Sequence, residues 1–156
     1  MSPSWELPLP VNLKALHTHI KANVVAMPYA VSSETGISRF HSPGGTGRGR
    51  LSNNGGMDVN SISLDDLYMA GEIPPPNVIK MDIEGGELSA LIGAAKVIEA
   101  SSPRIFLATH GKIIRLQCEN FLRGKGHNIE SFRNSSVIAT KSGEQPGQTH
   151  ELALIA

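Results

Sequence analysis

Apolar and polar positions along this chain switch between two periods. From Asn12 to Asn23, Leu13, Leu16 and Ile20 recur at helical spacing, with Asn12 placed to cap the start and Asn23 to end it. An amphipathic helix is predicted there. Residues 24–32 read as a buried strand that runs out at Ala30, Val31 and Ser32, residues 33–36 as a turn, and residues 37–42 as a second strand. From 42 to 56 glycine and asparagine dominate and no apolar period survives, which predicts a flexible loop. Ser63 with Asp66 then forms a capping-box pattern ahead of Leu64 and Leu67, and Pro74, Pro75 and Pro76 end that short helix. Residues 78–83 read as a strand, and residues 85–100 as one helix with Leu88, Leu91, Ile92, Ala95 and Ile98 on its stripe. A strand over 104–109 follows, then a helix from Lys112 with Ile114, Cys118, Phe121 and Leu122 facing inward and Gly124 or Gly126 closing it. Strands over 135–141 and 150–156 are predicted to close the domain as a C-terminal β-hairpin across the polar turn 142–149.

Alternation of strand and helix argues an α/β sheet with helices on both faces. At 156 residues, 1–156 reads as a single domain. Charge narrows the function classes: 14 basic residues balance 14 acidic ones, so no net field draws the chain to nucleic acid or to an anionic membrane. Cys118 stands alone, which excludes an intramolecular disulfide, and the first residues lack the pattern of a secretory signal. No apolar run reaches the roughly 20 residues that span a bilayer. A cytoplasmic protein without membrane segments is the expectation.

The chemistry concentrates where the strand 78–83 ends. Strand alternation puts Lys80, Asp82 and Glu84 on one face, opposite Ile79, Met81 and Ile83. In open α/β sheets ligands bind beyond the carboxyl ends of the strands, and Asp82 and Glu84 stand at such an end, before Gly85 and Gly86. A carboxylate there is costly unless paired or used. Two readings stay open for the acids: Lys80 pairs with Asp82 while Glu84 and Glu87 complement the next helix's N-terminus, or the acids face a ligand. His110, after the strand 104–109, lies at the same edge and has the ordinary pKa of a general base. Asp82 and Glu84 with Asp65 or Asp66 give oxygen ligands for a cation, but the spacing is not diagnostic and no metal site is assigned.

The order Leu64, Asp65, Asp66, Leu67, then Lys80, Asp82, Glu84, Gly85 and Glu87, with residues 8–42 before it and 104–111 after it, closely resembles the FkbM-type methyltransferase family. The resemblance runs from Pro8 to Gly126. It implies a class I, Rossmann-like fold that binds S-adenosylmethionine and transfers its methyl group to a hydroxyl oxygen of a sugar or other small-molecule metabolite. It further implies that Asp82 lies beside the methyl end of the cofactor, with Glu84 and His110 near the acceptor, and that Ala30, Val31 and Ser32 lie where adenine rests. Family members open with a strand and a glycine-rich turn, Asp-x-Gly-Ala-Asn-x-Gly, that this sequence does not contain. Glu6 stands one residue short of the position of the acid that holds the ribose, and reaches it only if the start of the chain is not strand. The domain therefore reads as partial, truncated before its first strand, with one edge of the strand 78–83 bare. A homodimer or a partner chain covering that edge is the expectation. The alternative function is a noncatalytic, truncated methyltransferase-like domain that does not bind cofactor alone and acts through such a partner.

Overall fold

A computed structural model describes residues 27–41, 50–52, 54, 56–132, 135–141 and 151–155. The helix expected over 12–23 and the turn 142–149 lie outside the described residues. Four short strands form a first sheet: β1 (Ala30–Val31), β2 (Gly36–His41), β3 (Arg50–Leu51) and β4 (Met57–Ile62), in the order β1-β4-β2-β3. β1 and β4 are parallel, whereas β2 runs antiparallel to both β3 and β4. Arg50–Leu51 is thus paired strand inside the stretch 42–56 expected to be loop, and β4 has no counterpart among the sequence-predicted strands. The alternation of β4 is short, Met57 to Asn60, before the polar Ser61 takes a buried position.

Helix α1 (Leu64–Met69) begins as its capping pattern requires, with the Ser63 hydroxyl accepting the Asp66 N–H at 3.1 Å. The return half of the box passes through Thr35, whose hydroxyl accepts the Ser63 N–H at 3.1 Å and donates to the Asp66 carboxylate. Those bonds hold the Asp66 carboxyl below its ordinary range, Thr35 first and Ser63 second.

The second sheet carries the core. β5 (Val78–Asp82) leads into two helices, α2 (Glu87–Ile92) and α3 (Ala95–Ser101). β6 (Arg104–Ala108) leads into α4 (Lys112–Gly124), and β7 (Asn128–Phe132), β8 (Ser136–Thr140) and β9 (Glu151–Ile155) follow. Their order is β7-β8-β6-β5-β9. Ile79 and Met81 of β5, Ile105 and Leu107 of β6, and Val137 and Ala139 of β8 are buried, while Lys80, Arg104 and Phe106 are exposed. This is the period-2 alternation of a sheet with one core face. Ala90, Leu91, Val97, Ile98, Cys118 and Leu122 from the helices complete the same cluster. Each large apolar side chain so buried contributes about 1.5–3 kcal/mol. α4 ends at Gly126, whose φ of 85° lets its N–H reach the Arg123 carbonyl and the next N–H, of His127, reach that of Leu122. Among the described residues no helix is long and apolar enough to cross a membrane.

Three expectations are corrected. The helix expected over 85–100 is broken at Gly93 and Ala94, which leaves Ile92 exposed and brings Ala94 and Val97 into the core instead. The break coincides with a close approach of the segment that follows β1, where a Cβ on Gly93 would collide with the Ser32 carbonyl oxygen. The C-terminal hairpin is formed by β7 and β8, while β9 pairs in parallel with β5, from Val78↔Glu151 to Asp82↔Ile155. A strand of apolar residues gains more from the unpaired edge of a central strand than from an edge position beside β8, since β8 already pairs on both sides with β6 and β7. Accordingly, the edge of β5 expected to be bare is covered by β9.

Candidate active site

β5 and β6 are parallel neighbours, with Met81 beside Leu107, so the segments that leave their carboxyl ends emerge side by side. On the β5 side the strand stops at Asp82 and the chain turns through Glu84 at φ 51° and Gly85 at φ 101° into α2. Strand alternation therefore does not carry as far as Glu84, which reaches the site through a left-handed turn. On the β6 side, Thr109 is fixed by its N–H and its hydroxyl, both donating to the Ser135 carbonyl at 2.9 Å. His110 follows, and Gly111, at φ 128°, starts α4.

Three carboxylates from the first side converge on this one histidine. Nδ1 of His110 lies 2.7 Å from Oε1 of Glu87, while Nε2 lies 3.5 Å from Oε2 of Glu84 and 3.7 Å from Oδ1 of Asp82. Glu87 is fully buried, whereas the side chains of Asp82, Glu84 and His110 are 46%, 35% and 35% exposed. The site thus has a sealed floor and an open rim. Oε1 of Glu87 also accepts the Gly85 N–H at 3.0 Å, and Oε2 is buried with no hydrogen-bond partner among the described residues. Partial burial is the largest single influence on His110 and lowers its pKa. The hydrogen bond to Glu87 and the charges of Glu84, Glu87 and Asp82 together outweigh it, and the net shift is upward from 6.5. The neighbouring Cys118 thiol is pushed up to about 12, by burial first and then by Glu87 and Glu119, so it stays a neutral core residue.

Asp82, Glu84 and His110 are thus brought together as the sequence suggested. Ala30, Val31 and Ser32 lie in and just after β1, and Ser32 is tied to α2 through Ser89: the two hydroxyls are 3.3 Å apart, and the Ser33 N–H donates to the Ser89 hydroxyl at 3.0 Å. Glu6 lies outside the described residues. Asp65 and Asp66, the sequence-level candidates for a third cation ligand, are occupied. Asp65 accepts the N–H groups of Lys96 and Val97 at 2.9 Å, capping α3, and Asp66 serves α1. Among the described residues no group of three histidine, cysteine or carboxylate side chains is placed to hold a metal ion. Glu87 is the residue whose part in the site was not foreseen. The signal was present: Glu87, Ala90, Leu91 and Ala94 follow the helical period, so a carboxylate occupies the inward face of α2.

Two acids and a histidine at the carboxyl ends of adjacent parallel strands suit a cationic ligand and a proton-bearing acceptor. Residues 8–132, well over half of the chain, match the family described as the methyltransferase FkbM domain. The chain belongs to the FkbM methyltransferase family. This chain is also similar to the hexuronic acid methyltransferase AglP of Haloferax volcanii, 38% identical over 79 residues, which cover 49% of this chain and 33% of that protein. The crystal structure of the FkbM methyltransferase of Methylobacillus flagellatus KT has a similar fold, with a TM-score of 0.52 at 19% identity over 83% of this chain and 32% of that one. The chain spans about a third of the length of each. The mixed α/β architecture is consistent with the Rossmann-like methyltransferase fold.

Proposed function

We propose that this FkbM-family domain takes part in S-adenosylmethionine-dependent methyl transfer to a hydroxyl oxygen of a sugar or other small-molecule metabolite. The observation that carries the reading is the convergence of Asp82 and Glu84 on Nε2 of His110 at the carboxyl end of β5. The residues fit the positively charged methionine end of the cofactor, because Asp82 and Glu84 offer part-exposed negative charge on the rim. When bound, S-adenosylmethionine supplies an electrophilic methyl group on a sulfonium. The protein's own work is positioning and proton removal: Asp82 favours the cationic centre, Glu84 and Asp82 orient the acceptor hydroxyl, and His110 accepts its proton at Nε2. Transfer therefore needs His110 unprotonated. The sugar class of acceptor is supported by the relative that acts on hexuronic acid.

The alternative, a noncatalytic domain that acts through a partner chain, makes the opposite prediction for cofactor binding. Calorimetric titration with S-adenosylmethionine separates the two. Saturable binding, weakened about tenfold in Asp82→Asn (about 1.4 kcal/mol) with the far-UV spectrum unchanged, is the expected outcome. Absence of heat at millimolar cofactor rejects the enzymatic reading for this chain and supports the partner-dependent one.

A further inference from the structure

We propose that Glu87 is a positioning residue for His110: its buried carboxylate holds the imidazole with the proton on Nδ1, so that Nε2 presents its lone pair between Asp82 and Glu84. This rests on the reading above, in which His110 accepts the acceptor's proton. Four observations carry it. Nδ1 and Oε1 are 2.7 Å apart, the distance of a charge-assisted hydrogen bond. Oε1 is itself anchored by the Gly85 N–H at 3.0 Å, so it acts as an acceptor, and the ring nitrogen facing it is the donor. Glu87 is fully buried on the helix face that also buries Ala90 and Leu91, where an apolar side chain would pack without the cost of desolvating a carboxylate. Finally, Oε2 has no hydrogen-bond partner among the described residues, where Gly85 and His110 are the groups that solvate the buried carboxylate.

The arrangement matches a base that is held by an acid on one ring nitrogen and works with the other. A proton leaving the acceptor hydroxyl goes to Nε2, and the positive charge that forms on the ring lies against Glu87. The groups that face the ring are Asp82 from β5, Glu84 from the following turn and Glu87 from α2, with the neutral Cys118 thiol of α4 behind Glu87. Asp82 and Glu84 act on the exposed nitrogen and Glu87 on the buried one, which divides the roles within the cluster.

The test is 15N NMR of the histidine rings across a pH series, on the full chain without cofactor or acceptor, for the unaltered protein and for Glu87→Gln. In the unaltered protein His110 is expected to be the Nδ1–H tautomer and to titrate above 6.5. In Glu87→Gln the titration midpoint is expected to fall by about one pH unit and the single tautomer to give way to a mixture. Glu87→Asp, which keeps the charge, is expected to retain the raised midpoint in part. An unchanged midpoint and tautomer in Glu87→Gln overturn the proposal. Should that variant fail to fold, an Nε2–H tautomer in the unaltered protein overturns it equally. Because these measurements need no cofactor, they fail or succeed independently of the calorimetric test of methyltransferase function.

Discussion

Glu84 holds a conformation that its side chain disfavours. At φ 51° a residue with a Cβ carries a cost of roughly 1–2 kcal/mol that glycine escapes, and the return is a carboxylate 3.5 Å from Nε2 of His110. Such strain at a site argues for use. Glu84→Gly is therefore expected to raise the unfolding free energy by about 1 kcal/mol while slowing methyl transfer. Urea denaturation beside a transfer assay measures both, and a variant that is less stable rejects the strain argument. His110 sets the pH dependence. Its folded-state pKa lies above its unfolded value, so its stabilising contribution is complete below 6.5 and is lost as pH rises through the higher folded value. Thermal melts from pH 6 to 9 are expected to show this decline, flattened in His110→Gln. Asp82 and His110 were legible in the sequence as polar residues at or just past the ends of apolar strands, whereas Glu84 reaches His110 through a turn that strand alternation does not describe. Glu87 was harder to read: its helical spacing with Ala90, Leu91 and Ala94 put it on the inward face, but an acid in the first turn of a helix already has an ordinary explanation in the helix dipole.

At the scale of elements, the informative residue is Asp65. It belongs to α1 but caps α3, since Ala94, at the N-cap of α3, offers no side-chain acceptor and the Asp65 carboxylate takes the Lys96 and Val97 N–H groups instead. The backbone adds a second tie, with the Asp65 N–H donating to the Gly93 carbonyl at 2.7 Å. Asp65→Ala is expected to cost about 0.5–2 kcal/mol and to speed hydrogen exchange at Lys96 and Val97 ahead of the rest of α3. Unchanged exchange there rejects the capping role. The break between α2 and α3 was illegible for a related reason. Its apolar stripe continues across Gly93 at helical spacing, and the group packed against that glycine is the Ser32 carbonyl, about sixty residues away. Capping by neighbours in sequence, as at Ser63, is readable, whereas capping from another element is not.

For the molecule as a whole, Gly93 marks a close approach between the segment after β1 and the turn between α2 and α3. The end of β1 reaches α2 through Ser32 and Ser33 on Ser89, and the closest approach is the Ser32 carbonyl over Gly93. Gly93→Ala forces backbone against Cβ and is expected to destabilise at the upper end of about 1–3 kcal/mol, read by thermal melting. A melting temperature equal to that of the unaltered protein contradicts the close approach. The α/β class was legible from alternating periods, but the division into two sheets was not, because β4 hides behind polar residues. The place of β9 was illegible too, since pairing partners across 73 positions leave no local trace.

That last strand has a kinetic consequence. In a parallel ladder the N–H groups of successive residues point to opposite neighbours, so the amides of Val78–Asp82 divide between β6 and β9. Half of the backbone protection of the strand that carries Asp82 then depends on its pairing with β9. Hydrogen exchange along β5 is expected to alternate between slow and fast residues, with the fast set reporting the opening of β9 alone. The free energy of that opening is a quantity local to the edge of β5.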